Sequence, residues 1–78
     1  MTSMKELVEF IVKSLVDDPS QVHVSEIGGE TSVILELRVG PEDMGRVIGK
    51  KGRTVNAIRS LVQILAAKQG KRVTLEIV

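Results

Sequence analysis

Two glycines frame two lysines between two stretches of helical character, and this arrangement restricts the path of the chain more than any other feature of the sequence. The segment is Gly49-Lys50-Lys51-Gly52. The pattern predicts a short helix over residues 42–49 and a longer one over residues 54–68. Gly49 can take the positive φ that ends the first helix, and Gly52 opens the second. We therefore expect two consecutive helices joined by a sharp turn.

A turn of this kind has the chemistry of a phosphate-binding site. Without a Cβ at Gly49 or Gly52, a ligand backbone can approach closely, and the free N–H groups at the start of the second helix carry partial positive charge. Full charges come from four side chains: Arg46, Lys50, Lys51 and Arg53. The alternative is that Gly49 only caps a helix and that the lysines keep a tight corner soluble.

The charges of the chain are segregated, which favours the phosphate-binding interpretation. Residues 1–43 hold three Lys or Arg and nine Asp or Glu, whereas residues 44–78 hold eight Lys or Arg and one acid, Glu76. The net charges are thus −6 and +7, although the whole chain carries only +1. One basic face can therefore meet a polyanion.

Other glycine-rich motifs do not fit this segment. Gly40 and Gly45 have the spacing of a nucleotide-binding P-loop, but Arg46-Val47 follows where Lys and Ser or Thr are required. No two glycines have the G-x-G spacing of a dinucleotide-binding loop. The charge of Arg46 also excludes a membrane-helix dimer motif.

Length and composition indicate one small intracellular domain over residues 1–78. Such a short chain buries only about 60% of its unfolded surface. It has no cysteine, so neither disulfides nor thiolate metal sites stabilise it. Neither a signal peptide nor a membrane span is visible, because Glu9 and Lys13 interrupt the apolar stretch of the first helix. We expect a cytoplasmic protein that does not contact membranes.

The first third of the chain predicts a helix followed by a strand. Ser3-Met4-Lys5-Glu6 matches a capping box. Apolar residues then repeat at helical spacing (Leu7, Phe10/Ile11, Leu15), and Asp17-Asp18-Pro19 ends the helix. Val22 and Val24 alternate with polar residues up to Gly28-Gly29-Glu30, as in a strand.

The remainder predicts two more strands around the pair of helices. Residues 33–39 alternate and pair with the first strand as a hairpin, and Gly40-Pro41-Glu42-Asp43 ends the strand and starts a helix. Gly70 caps the long helix, and residues 73–77 alternate as a last strand. The resulting order is α-β-β-α-α-β, an α+β fold with three strands on one side and three helices on the other.

This frame resembles a KH domain of the type II arrangement. The resemblance rests on Val47-Ile48-Gly49-Lys50-Lys51-Gly52 within strand-helix-GxxG-helix-strand, and it covers nearly the whole chain. Size and element order are similar to the KhpA family, small single-KH RNA-binding proteins of bacteria. In KH domains the GxxG loop clamps the backbone of about four nucleotides of single-stranded RNA.

The resemblance implies a set of binding residues. Gly49, Lys50, Lys51 and Gly52 would form the backbone clamp, and Val47, Ile48 and Val55 would supply part of an apolar groove under the bases. The hairpin turn Gly28-Gly29-Glu30 stands where the family has its variable loop, and it is short and acidic, so we expect modest specificity. Phe10 is the one aromatic residue and is expected in the core, so rings are not available for base stacking.

The long helix carries two apolar stripes, which raises the question of oligomerisation. The first stripe is expected against the sheet (Val55, Ile58, Val62, Leu65, Ala66). The second stripe, Ala57, Leu61 and Ile64, either packs on neighbouring helices or forms an exposed dimer surface. The resemblance to the KhpA family implies self-association or pairing with a larger KH-containing RNA-binding protein.

Nothing in the sequence indicates catalysis, a metal or a cofactor. His23 has no second His or Cys beside it and is interpreted as a surface residue of a strand. Asp17-Asp18 and Glu42-Asp43 each lie at a helix end, where a turn or dipole role explains them. The expected function is non-catalytic RNA binding, as a post-transcriptional regulator or RNA chaperone. The alternative is a dimerisation or adaptor module that itself binds little RNA.

Overall fold

The computed structural model describes residues 3–78, so Met1 and Thr2 of the expected domain lie outside the described residues. The elements are α1 (Met4–Leu15), β1 (His23–Gly28), β2 (Ser32–Arg38), α2 (Met44–Ile48), α3 (Arg53–Lys68) and β3 (Arg72–Ile77). Single turns of 3₁₀ helix lie at Pro19–Gln21, Pro41–Asp43 and Lys50–Gly52. The expected order α-β-β-α-α-β is confirmed. In this part of the chain, no helix has both the length and the apolar character that a membrane span needs.

The three strands form one mixed sheet in the order β1-β2-β3. β1 and β2 are antiparallel, with His23 opposite Arg38, and β2 and β3 are parallel, with Ser32 opposite Arg72. A parallel pair requires a long crossover, and here α2 and α3 supply it. β2 is the central strand, so the crossover brings β3 beside it and leaves β1 and β3 as the edges.

The helices cover one face of the sheet, as expected. The core-facing residues of β2 are buried, with Leu35 and Leu37 fully enclosed. Ile34 lies between the buried Val33 and Leu35 and is 39% exposed on the opposite face, where Ile27 of β1 is its cross-strand partner. This alternation is typical of a sheet with one face on the core and the other in solvent.

α1 begins as the capping box predicts, but it buries a different face. The Glu6 N–H donates to the Ser3 hydroxyl oxygen at 3.1 Å. The buried residues of this helix are Met4, Val8 and Val12, spaced four apart. Phe10 is 72% exposed, so its expected place in the core is wrong. At 3.6 residues per turn, a residue two positions from both Val8 and Val12 falls on the opposite side of the helix.

α3 contacts the core with the stripe that the sequence predicts. Its buried residues are Val55, Ile58, Val62 and Ala66, and Leu65 is half-buried beside them. The second stripe (Ala57, Leu61 and Ile64) is exposed, Leu61 by 50% and Ile64 by 58%. Of the two alternatives for this stripe, packing against neighbouring helices within the chain is therefore wrong.

Candidate nucleic-acid interface

The turn between α2 and α3 begins at a position that only glycine can occupy without strain. The Gly49 N–H donates to the Gly45 C=O at 2.9 Å and ends α2. Gly49 has φ 76° and ψ 173°, a region of backbone space that is essentially restricted to glycine. A Cβ at this position would also collide with the side chain of Thr54 and lie 2.9 Å from its backbone nitrogen. The positive φ expected at Gly49 is thus confirmed.

The backbone at the centre of the turn has the conformation of an anion-binding concavity. The Gly52 N–H donates to the Gly49 C=O at 3.1 Å and closes the turn. Lys50 is helical, whereas Lys51 has the left-handed values φ 58° and ψ 25°. A right-handed residue followed by a left-handed one directs consecutive N–H groups into an anion-binding concavity. The N–H groups of Lys50 and Lys51 are the ones that this conformation brings together.

α3 starts at the edge of this concavity. Its N-cap is Gly52, with φ 75° and ψ 12°, and no side chain caps the helix there. The first N–H groups of a helix have no partner within the helix, and they carry the positive end of its dipole. α3 is 16 residues long, so its dipole adds to the field at the turn.

Three of the four expected cations are available to a ligand. Lys50, Lys51 and Arg53 are exposed and form no ion pair among the described residues. Arg46 differs: its Nη2 lies 3.0 Å from Asp17 Oδ2 and its Nε lies 3.6 Å from Asp43 Oδ1. Two carboxylates therefore offset the charge of Arg46, and the field at the turn comes from the other three side chains.

Asp43 has a structural role that the sequence analysis missed. It is 4% exposed, and its two carboxylate oxygens accept from the backbone N–H groups of Asp17 and Asp18, each at 3.1 Å. The carboxylate thus joins the segment after α1 to the start of α2. Asp43 lies 25 residues after Asp18 in the sequence. The signal in the sequence is an acid after Gly-Pro at a helix start, which suggested only a dipole role.

Asp18 has the turn role that was expected. Its carboxylate accepts from the Ser20 hydroxyl, from the Gln21 side-chain amide at 2.8 Å and from the Ser20 N–H at 3.2 Å. The bond from the Ser20 hydroxyl, followed by that from Gln21, lowers the pKa of Asp18. These bonds shape the connection between α1 and β1 and lie apart from the glycine turn.

The apolar residues expected under the bases are mostly not at the surface. Val47 is fully buried and Val55 is 5% exposed, so both support the turn from the core side and offer no area to a ligand. Ile48 is 36% exposed and remains the one of the three with surface to contribute. Val47 lies in α2 and Val55 in α3, and both side chains are on the core-facing sides of these helices.

The described part of the chain holds no cluster of side chains that could bind a metal ion. His23 is exposed on β1, as interpreted from the sequence. No set of three or more His, Cys, Asp or Glu side chains within residues 3–78 is placed to hold a metal ion. Asp17, Asp18, Glu42 and Asp43 do line a common cleft of about 290 Å³, where backbone N–H groups and Arg46 already engage Asp43.

Comparison with known proteins agrees with this architecture. The chain is 61% identical over 75 residues to a protein of Clostridium perfringens named RNA-binding protein KhpA, with 96% of this chain and all of that one covered. A protein of the same name from Aquifex aeolicus is 48% identical, with 99% of this chain and 98% of the other covered.

A solved structure shares the fold. It is the crystal structure of Era in complex with MgGDPNP and nucleotides 1506–1542 of 16S ribosomal RNA, which matches with a TM-score of 0.68 at 21% identity. The match covers 95% of this chain and 28% of that one. The model of the family described as KhpA/KhpB, KH domain, matches residues 5–77. The chain therefore belongs to the KhpA/KhpB family of KH-domain proteins.

Proposed function

We propose that this protein binds single-stranded RNA, without catalysing a reaction, by gripping the phosphate backbone with the turn Gly49–Gly52. The observation that carries the proposal is the coincidence of the right-handed and left-handed backbone at Lys50 and Lys51 with three exposed cations that form no ion pair among residues 3–78. Hydrogen-bond donors and positive charge that converge on one concave turn are suited to phosphate oxygens.

The family gives the proposal its ligand class. Relatives that match this chain over nearly their full length are named RNA-binding proteins, and this is not a family of enzymes. KH domains clamp about four nucleotides of single-stranded RNA at a GxxG loop. In this chain the contacts come from Gly49 to Arg53 and the exposed part of Ile48, while Val47 and Val55 support them from the core and Arg46 lies beside them.

The expected role follows from the size of the site. A site for about four nucleotides, without an aromatic ring at the turn, gives weak binding that recognises the backbone more than the base sequence. Such binding suits a cytoplasmic post-transcriptional regulator or RNA chaperone that exchanges among many transcripts, and we propose that role for the domain.

The test is a charge reversal at the turn. Lys50→Asp with Lys51→Asp should abolish the binding of a short unstructured RNA in a filter-binding assay, with an unchanged circular dichroism spectrum, since both side chains are exposed. Lys5→Asp with Lys13→Asp makes the same change of charge on α1, where both lysines are also exposed, and should leave binding near wild type. Native-like spectra with equal RNA affinity in both variants would refute the clamp.

The exposed stripe on α3 favours a second role, as a dimerisation surface. Leu61 and Ile64 are each at least half exposed on the longest helix of the described chain. We propose that this stripe packs against a second copy, or against a larger KH-containing RNA-binding partner. Two joined turns would raise the affinity for long RNA without a new contact. If wild type does not bind short RNA at all, the adaptor role is the one that remains.

A further inference from the structure

A second group of cations lies at the far end of α3. Lys68 is the last residue of α3, and Lys71 and Arg72 lead into β3; we call these three residues the distal basic cluster. Lys68 and Arg72 are exposed and Lys71 is half-buried, and none forms an ion pair within residues 3–78. A cation in the last helical turn stabilises the helix dipole, which explains Lys68. Lys71 and Arg72 lie beyond the helix and need another explanation.

The cluster borders a cleft between α3 and β3. The cleft has a volume of about 350 Å³ and is lined by Gln63, Ala66, Lys71, Arg72, Val73 and Thr74. Ala66 is buried and Val73 is half-buried, so the cleft joins an apolar base to a polar rim. The one acid in the adjoining hairpin turn is Glu30, next to Thr31, whose C=O accepts from the Arg72 N–H at 2.8 Å. Glu30 forms no ion pair with the cluster.

The end of α3 has a cap that pairs two of its last carbonyl groups. The Lys71 N–H donates to the Ala66 C=O at 2.9 Å, and the Gly70 N–H donates to the Ala67 C=O at 3.1 Å. Gly70 has φ 69°, so these bonds form the left-handed cap common at helix ends. The cap thus occupies the carbonyl oxygens of Ala66 and Ala67, which would otherwise be free to repel a phosphate.

A line of polar side chains connects the glycine turn with the cluster along α3. The side chain of Asn56 lies near Gly52 in space, and its Oδ1 accepts a hydrogen bond from Arg59 Nη1 at 3.3 Å. Arg59 Nε and Nη2 donate to the Leu75 C=O of β3, both at 3.2 Å. Gln63, one turn further on, lines the cleft. Asn56, Arg59 and Gln63 share one side of the helix, and none of them is an acid.

The length of α3 sets the span between the two sites. Sixteen residues at 1.5 Å each give about 24 Å. At about 3.4 Å per phosphate, a stacked strand covers that distance in about seven nucleotides, and an extended strand in fewer. An RNA of four nucleotides held at the turn thus leaves the cluster free, whereas one of twelve can engage both.

We propose that Lys68, Lys71 and Arg72 form a second phosphate-binding site, which a single strand longer than about seven nucleotides reaches while the turn Gly49–Gly52 holds its other end. The inference rests on the proposed function, because it extends the footprint of the same RNA. It predicts that affinity increases with RNA length even for a single copy of the chain.

The test uses RNA length and a charge-matched control. Lys68→Gln, Lys71→Gln and Arg72→Gln are combined in one variant, and Lys5→Gln, Lys13→Gln and Arg38→Gln, all exposed, in the other. Binding of oligouridine of four and of twelve nucleotides is measured by NMR titration and by fluorescence anisotropy between 50 and 200 mM salt.

In the cluster variant, the loss of three single-strand contacts should make the log–log salt slope shallower by about 2 for the twelve-mer. Over that salt range, wild type should therefore lose about 15- to 20-fold more affinity than the cluster variant. The four-mer should bind all three proteins alike.

Each other outcome has a defined meaning. If the cluster variant and wild type bind the twelve-mer equally and with the same salt slope, the second site is refuted while the turn stands. If both triple variants weaken equally, net charge is responsible and the local site is refuted. If Leu61→Glu removes the length dependence, paired copies cause it and the inference is wrong. If wild type binds neither RNA, the proposed function itself fails.

Discussion

Single residues determine the turn and its support, and each does so by a distinct physical device. Gly49 supplies a backbone conformation that other residues avoid, Lys51 tolerates the left-handed region, and Asp43 holds two distant backbone N–H groups. The positive φ at Gly49 was predictable because a capping glycine between helices has few other uses. The role of Asp43 was not, because its partners are set by tertiary packing and leave no local pattern.

Asp43→Ala should lower the free energy of unfolding by about 3 kcal/mol, because it leaves two N–H groups without the charged acceptor they now have. Urea denaturation measures the change, with Glu42→Ala as the control at the exposed neighbouring position. The control should change stability by less than about 0.5 kcal/mol. Equal effects of the two substitutions would contradict the anchoring role of Asp43.

The two glycines of the turn should differ in their response to alanine. Gly49→Ala combines a glycine-only conformation with a collision against Thr54 and should cost about 3 kcal/mol. Gly52→Ala meets only Asn56 Nδ2, at 3.7 Å, so the left-handed backbone alone should cost about 1–2 kcal/mol. The midpoints of urea denaturation compare the two. A Gly49→Ala variant more stable than Gly52→Ala would show that the turn has another geometry.

At the level of helices and strands, the sequence predicted every element of the fold, and it erred where two apolar patterns compete on one helix. In α1 the larger residues Leu7, Phe10 and Leu15 suggested the core face, whereas Met4, Val8 and Val12 form it. Tertiary packing selects the face, and periodicity alone cannot. In α3 the residues that face the core follow helical spacing, and the sequence identified them correctly. They are Val55, Ile58, Val62 and Ala66.

The exposed stripe of α3 gives a prediction at this scale. Leu61→Glu or Ile64→Glu should convert a dimer to a monomer and change the free energy of unfolding of the single chain by no more than about 0.5 kcal/mol, because both side chains lie at the surface. Light scattering measures the mass, and Ser60→Glu, exposed outside this stripe, is the control. A wild type that is already monomeric, or a control that also dissociates, would contradict the dimer surface.

At the scale of the whole molecule, most basic residues of the second half of the chain lie in groups at the turn and at the far end of α3. Within residues 3–78, the acids of the first half pair with only one of the basic residues that follow, Arg46, through Asp17 and Asp43. The cations at the turn and at the far end of α3 remain without acidic partners in the described chain. The asymmetry was visible in the sequence, whereas the lack of acidic partners at both ends of α3 among residues 3–78 required the structure.

The size of the binding footprint gives the prediction at this scale. For an RNA of four nucleotides, a turn that contacts two or three phosphates implies a log–log salt slope of about −1.4 to −2. Fluorescence anisotropy over a salt series measures this slope. A slope near zero would exclude phosphate recognition, and one much steeper would indicate a broad basic surface in place of a compact clamp.

The central claim is that the N–H groups of the turn Gly49–Gly52 bind the RNA backbone. It is tested most directly by an NMR titration of the ¹⁵N-labelled protein with a single-stranded four-nucleotide RNA. We expect the largest shifts at the amides of Lys50 and Lys51, smaller shifts at the start of α3, and little change in α1. Saturable binding that shifts other amides and leaves those of Lys50 and Lys51 in place would contradict the account.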